Sequence, residues 1–256
     1  MNLEEKIEQI AKWIVGSKHL VAFTGAGIST ASGIPDFRGP DGVWTRRDKG
    51  LPPPKMKKAW SQVEPNLAHM SLVELQNMGY LKFLITQNTD NLHRRSGIKP
   101  ELLAELHGNG TLMVCRSCNE MMTYEEANWD KGVWGAGYLT ASQKEGQPTC
   151  PSCQTGRLVS SVVNFGDSLP DKDFKESHEH SAKADVYLII GSSLVVTPAA
   201  DLPVMAQNNG AKMILLNRGE TPLDNIMDVK IEENIADVLP KIIAKMKGYI
   251  TEEKIE

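Results

Sequence analysis

The 256-residue chain has no apolar run long enough to span a bilayer, no excess of basic charge, no low-complexity tract and only four cysteines. The first absence excludes a helical membrane span. The balance of 28 Lys+Arg against 32 Asp+Glu argues against a broad basic surface for nucleic acid, while a local patch stays open. Aromatic residues are scarce at 6%, but 41% hydrophobic and 23% charged residues are ordinary for a globular protein, and the length supports one large domain or a domain with an insertion. The opening MNLEEKIEQIAKWIV carries acids where a secretory leader carries bases and offers no small-residue cleavage site. A reducing cytoplasm is therefore expected, and the modest length points to a prokaryotic one.

With so few cysteines, their placement matters. They fall as Cys115 and Cys118 in CRSC, and Cys150 and Cys153 in CPSC. Two disulfides or four buried thiols would also use them, but disulfides are rare in a reducing compartment. Two C-x-x-C knuckles with no cysteine left over suit an all-cysteine tetrahedral zinc site. The 31 residues between the knuckles exceed the roughly 15–20 of a simple ribbon, so the module is expected to carry an inserted loop. Four thiolates close the coordination shell and predict a structural Zn2+, not a catalytic one.

Apolar residues at helical spacing predict an amphipathic helix over 3–15, a second over 67–78 ending at Gly79, one near 199–208, and a terminal helix through Pro240, as a kink or a restart. Short aliphatic runs predict strands at 20–23, 80–86, 159–165 (as a strand or extended edge), in ADVYLIIGSS and in AKMILLNRG. The proline-rich 39–66 reads as an irregular or partly helical excursion, and 111–158, rich in Gly, Ser and Cys, as the zinc insert. Strands that end in polar turns, with helices between them, predict an open parallel α/β sheet whose ligand lies outside the strands' carboxyl ends.

Four such ends stand out: TGAG, TQNTDN, GSS and NRG. Gly25 and Gly27 suit backbone N–H groups approaching a phosphate ahead of a helix, or a plain structural turn. Gly191, Ser192 and Ser193 repeat that chemistry, and Asn217 is a ribose partner or a turn residue. Asn88 and Asp90 stand two apart after a strand, pointing the same way or serving as a turn or cap. His107 and His93 are isolated histidines, a kind more often structural than catalytic. The aromatic and the arginine of PDFRG can stack on and pair with an anion, or form a proline turn.

In their order, GAGIST, SGIPDFRG, TQNTDNLH, ELHG, the two knuckles, VVNFGDSLP, GSSLVVTPAA and LNRGET resemble the sirtuins, the NAD-dependent protein lysine deacylases, over about residues 10 to 240. PDFRGPDGVWT is similar to the branch containing the chromatin-associated nuclear members, some of which favour long acyl chains or ADP-ribosyl transfer. The resemblance implies a Rossmann-like parallel-sheet large domain (1–110 and 159–256) with an inserted small zinc-binding domain (111–158). It implies NAD held by Gly25, Ala26, Gly27, Thr30, Asp36, Phe37, Arg38, Trp44, Gln87, Gly191, Ser192, Ser193, Asn217, Arg218 and Ile235. Catalysis would fall to His107 as general base, with Asn88 and Asp90 at the nicotinamide and ribose. An acyl-lysine protein substrate would add as a strand between Val163, Asn164, Phe165 and Gly166 on one side and Leu194 and Val195 on the other. In that chemistry the acyl oxygen attacks the ribose as nicotinamide leaves, and the products are free lysine and an acyl-ADP-ribose ester. Thr89 departs from the family, which usually carries an aliphatic residue there. The rival readings are a mono-ADP-ribosyltransferase on the same scaffold and a zinc module that senses the nucleotide without turnover. A dehydrogenase is disfavoured by the incomplete G-x-G-x-x-G fingerprint.

Overall fold

The computed structural model describes residues 1–252. Helix α1 (Leu3–Val15) buries Ile7, Ile10, Ala11 and Ile14, the stripe expected from its spacing, and Asn2 with Glu5 closes a capping box at its start. Strand β1 (Leu20–Thr24) is buried throughout and runs into a 3-10 helix, Ala26–Ser32, that stops at Gly33 with φ 99°. The proline-rich excursion contains α2 (Val43–Asp48) and a single 3-10 turn, Trp60–Gln62, as expected. Then come α3 (Leu67–Asn77), β2 (Leu81–Thr86), α4 (Leu92–Ser96) and β3 (Leu103–Glu105).

The cysteine region folds separately. Strands β4 (Leu112–Cys115), β5 (Met121–Thr123) and β6 (Leu158–Ser160), with α5 (Lys131–Trp134) between, form a three-stranded antiparallel sheet in the order β5-β4-β6. The chain returns through α6 (Asp171–Lys183), β7 (Val186–Ile190), α7 (Asp201–Asn208), β8 (Lys212–Leu216), β9 (Val229–Ile231) and α8 (Ile235–Glu252). Helix α8 passes through Pro240 as one element.

The main sheet has the order β3-β2-β1-β7-β8-β9, with every pairing parallel. Residues alternate between its two faces, as strand geometry requires. Ala22, Leu84, Leu188 and Ile214 join the core under α1, α3 and α8; Phe23, Phe83, Tyr187 and Leu215 join the opposite core under α6 and α7. The chain runs outward from β1 to β3 and then restarts beside β1 at β7, so the switch point, where such sheets bind ligands, lies between β1 and β7. Among the described residues no helix is long and apolar enough to cross a membrane.

One expectation needs correction. The strand expected over 159–165 is confined to Leu158–Ser160 and pairs with β4, so the small sheet extends past 158. Helix α6 escapes a periodicity search because its buried positions include Ser177 and Ser181, which carry no apolar signal. The helix expected after the glycine turn is present as a 3-10 helix.

Candidate active site

The carboxyl ends of β1, β2, β3 and β7 meet through side chains. Asn88 donates from Nδ2 to the Gly25 carbonyl at 3.1 Å and lies 3.4 Å from the Ser29 hydroxyl. Ser29 in turn donates to Asp90 Oδ2 at 2.6 Å. Asn88 and Asp90 therefore do point together, and Ser29 is the residue on which they converge. Burial raises the Asp90 carboxyl above its ordinary value, opposed by the Ser29 hydroxyl and by the Leu92 amide, which donates to Oδ1 at 2.9 Å. Sequence reasoning missed Ser29; its only signal is a hydroxyl inside GAGIST, whose inward aim depends on the tight 3-10 turn.

Gln87 ties the next two strand ends together. Its Nε2 donates to Ser192 Oγ at 2.8 Å, and its carbonyl oxygen stands 3.0 Å from His107 Nδ1. Burial pushes the His107 imidazole below its ordinary value. Among the described residues nothing hydrogen-bonds to its Nε2. The loop carrying His107 is braced from behind: Asn109 donates to Glu105 at 2.7 Å and to Asn91 at 2.9 Å, and Arg94 donates to Glu105 at 2.8 Å. At Gly108 φ is 74°, and a Cβ there would lie 1.9 Å from the Ser161 carbonyl oxygen, so only glycine lets the chain turn here. The Val163 amide donates to the His107 carbonyl, which sets the segment returning from the small sheet beside the imidazole.

At Gly25 and Gly27 the structure shows the structural turn. The amides of Gly25 and Gly27 donate to the carbonyls of Ile190 and Gly191, so neither N–H is free for a phosphate. A Cβ on Gly27 would lie 2.6 Å from Gly191 Cα. These glycines let the ends of β1 and β7 touch. The Thr30 hydroxyl is likewise spent on the Gly27 carbonyl. Asp36 accepts from the Gly39 amide at 3.0 Å and shapes its own loop. Ala26 is half-buried in that turn, and Ser193, just past the end of β7, is half-buried and shows no side-chain hydrogen bond among the described residues.

Phe37 and Arg38 are exposed and pack on Trp44, the guanidinium 4.1 Å from the indole centre and the Phe37 ring 5.4 Å away. Phe165, 79% exposed, also packs on Trp44, with ring centroids 5.7 Å apart. Asn164 bonds to Asp167, and Gly166 has φ 91°. Leu194 is buried in the core, so of this expected peptide contact only the backbone, at φ 54°, is left for a ligand; Val195 is exposed. Asn217 and the exposed Arg218 follow β8; the Asn217 amide donates to the Ile231 carbonyl at the end of β9 at 3.0 Å, and its Nδ2 donates to the Arg218 carbonyl. Ile235 opens α8, half-buried against the core.

The four cysteines also meet. Their sulfurs all lie within 4.8 Å of one another, with Cys115–Cys153 at 3.7 Å and Cys118–Cys150 at 3.8 Å. These are too long for disulfides, whereas a tetrahedron with Zn–S of about 2.3 Å has edges of about 3.8 Å. Backbone amides of Thr155 and Gly156 pull the Cys153 thiol down to about 6, whereas neighbouring thiols raise Cys118, so it is the four-sulfur geometry that carries the zinc assignment. The set fits a structural zinc.

The Sir2 family model matches residues 25–55 and 53–198, which span both the strand-end rim and the cysteine cluster.

The chain belongs to the Sir2 family.

It is 40% identical to the NAD-dependent protein deacetylase SRT1 of Arabidopsis thaliana, over 97% of this chain and 51% of that protein. It is 38% identical to NAD-dependent protein deacylase 2 of Archaeoglobus fulgidus, over 98% of this chain and 100% of that protein. This Sir2 chain thus spans about half the length of the plant relative and all of the archaeal one. Among solved structures, that of Sir2Af2 bound to a myristoylated histone peptide matches with a TM-score of 0.69 at 36% identity, covering 97% of this chain and 99% of that one.

Proposed function

We propose that the chain is an NAD-dependent protein lysine deacylase acting on proteins that carry an acylated lysine. The observation that carries this reading is the arrangement of His107 at the rim. Its Nδ1 is fixed on the Gln87 carbonyl and its Nε2 is free, on a frame shared with Asn88, Asp90 and Ser29. NAD, when bound, supplies the reactive ribose carbon and nicotinamide as leaving group. His107 Nε2, neutral through burial, accepts a proton from a ribose hydroxyl as general base.

Asn88 and Asp90 are assigned to orienting the nicotinamide and ribose end. Both are held from behind, Asn88 by Gly25 and Asp90 by Ser29, so their free polar faces are preorganised. Ser193, Asn217 and Arg218 keep free polar groups for the phosphates and adenosine. The Phe37–Arg38–Trp44 stack is assigned to the cofactor, and its contact with Phe165 links that loop to the peptide segment. Val163 to Gly166 and the backbone of Leu194 and Val195 would flank the incoming peptide, which adds its own strand hydrogen bonds. The cysteine cluster holds the small sheet and takes no part in the chemistry. Four thiolates stay available only in a reducing compartment, which supports a cytoplasmic location.

The test uses acetyl-, succinyl- and myristoyl-lysine peptides with NAD, following nicotinamide release and peptide mass. Nicotinamide together with loss of the acyl mass supports the proposal. Nicotinamide with a mass gain on protein would replace it with ADP-ribosyl transfer, and stabilisation by NAD without nicotinamide release would leave only a sensor.

A further inference from the structure

Behind the rim runs a buried polar line that the proposed chemistry leaves unused. His69 on α3 and His93 on α4 are 0% and 2% exposed, with ring centroids 5.0 Å apart at 55°. Burial holds His69 down to about 4 and His93 well below its ordinary value, so both are neutral at neutral pH. A neutral imidazole has one N–H and one lone pair, and its partners decide which nitrogen carries which.

His69 Nδ1 accepts from the Asn66 amide at 3.3 Å, so its hydrogen sits on Nε2. Thr24 donates its one hydroxyl hydrogen to Thr86 Oγ1 at 2.8 Å. The 2.9 Å contact between Thr24 Oγ1 and His93 Nε2 must then be donated by His93, which leaves the lone pair on its Nδ1. The two nitrogens left over, His69 Nε2 and His93 Nδ1, are both buried and have no other partner. One is a donor and the other an acceptor, on adjacent rings. At the far end of the line, Thr86 Oγ1 also accepts from the Asn88 amide at 3.0 Å.

We infer that His69 Nε2–H and His93 Nδ1 share one hydrogen bond, direct or through a single water, and that His93 is a positioning residue that holds Asn88 at the rim through Thr24 and Thr86. The line then runs Asn66 to His69, His69 to His93, His93 to Thr24 and Thr24 to Thr86, with the Asn88 amide closing on Thr86. Loss of the donor at position 93 frees Thr24 to turn, and with it the anchor of the Asn88 backbone. The positioning role rests on the reading that Asn88 serves NAD.

The test compares initial rates of nicotinamide release for wild type, His93→Phe and His93→Gln, varying NAD and acyl-peptide separately. Phenylalanine keeps the ring volume but neither donates nor accepts; glutamine keeps a donor and an acceptor. With one buried hydrogen bond lost, His93→Phe is expected to raise KM for NAD about tenfold and to leave KM for the peptide near wild type. His93→Gln is expected to recover most of that loss. A purely structural role would lower the amount of active enzyme, and so kcat, at unchanged KM; that result overturns the positioning role. Should the Phe variant not fold, long-range 15N–1H spectra of histidine-labelled wild type decide, because both rings must be protonated at Nε2 and not at Nδ1. A His93 ring protonated at Nδ1 overturns the inference. Wild type that neither binds nor turns over NAD would overturn the functional reading together with the positioning role, whereas normal wild-type kinetics with an indifferent His93→Phe overturns the positioning role alone.

Discussion

His107 Nδ1 stands 3.0 Å from the carbonyl oxygen of Gln87. A carbonyl only accepts, so the hydrogen is on Nδ1 and the lone pair on Nε2. The backbone after β2 thereby chooses the tautomer of a side chain after β3. The same glutamine holds Ser192 at the end of β7, so one residue spans the switch point of the sheet and sets the tautomer of His107.

Replacing His107 with alanine removes the proposed base and leaves its loop braced by Asn109 and Glu105. We expect kcat/KM to fall about 10²–10⁴-fold, or about 3–5 kcal/mol of transition-state stabilisation. Because burial lowers the imidazole below 6.5, wild-type activity should hold down to that pH and fail only on further acidification. A pH–rate profile checks both; near-normal deacylation by the alanine variant would sink the role.

Ser29→Ala removes the hydroxyl that Asp90 and Asn88 share. A buried carboxylate that loses a donor costs about 1–3 kcal/mol, so KM for NAD should rise about tenfold or more. The hydroxyl also holds the Asp90 carboxyl down, so the acid limb should move to higher pH in the variant. Unchanged KM and an unchanged profile, measured by nicotinamide release, would refute the convergence on Ser29.

Gly27→Ala places a Cβ 2.6 Å from Gly191 Cα, where backbone faces backbone and neither side can give cheaply. A loss of about 1–3 kcal/mol of stability is expected, read from urea unfolding. The control is Gly248→Ala on α8, where a Cβ meets nothing within 4 Å and should be neutral or stabilising.

Stability itself should depend on pH through His69. Its folded value is about 4 against 6.5 for an unperturbed imidazole, so between those values the unfolded chain binds a proton that the folded chain refuses. This contribution is fully present above 6.5 and is lost as pH falls towards 4. Urea midpoints at pH 7 and pH 5 should differ more for wild type than for His69→Gln; equal differences would exclude it.

Zinc removal should act locally. Cys150→Ser, or a strong chelator, should release the metal and strip hydrogen-exchange protection from 112–160. Amides of β1, β2, β7 and β8 should stay protected, since their cores are separate. Protein purified from zinc-containing medium with no bound zinc would contradict the assignment.

Much of the large domain was legible because its strands are buried on both faces and read as continuous aliphatic runs. Helix α1 was legible for a related reason, its apolar stripe. Helix α6 was not: Ser177 and Ser181 fill inward positions where a pattern search needs aliphatics. The short β9 gave too few residues for a period, and VSSVVNF reads as one strand although only its start pairs. At the site, the motif residues were legible as residues, but not their partners. Gly25 and Gly27 looked like phosphate contacts because sequence shows a missing side chain and not what occupies the space.

The sequence by itself determined the alternating β-α rhythm, the four-thiolate zinc set and the chemistry available at the strand ends, because these depend on residue type and local spacing. Only the tertiary structure decided that Ser29 joins Asn88 to Asp90, that Gly27 packs on Gly191, and that Gln87 fixes the tautomer of His107. Each of those relations links chain segments brought together by parallel strand pairing, and hydrogen-bond direction and close contact exist only once both partners are in place.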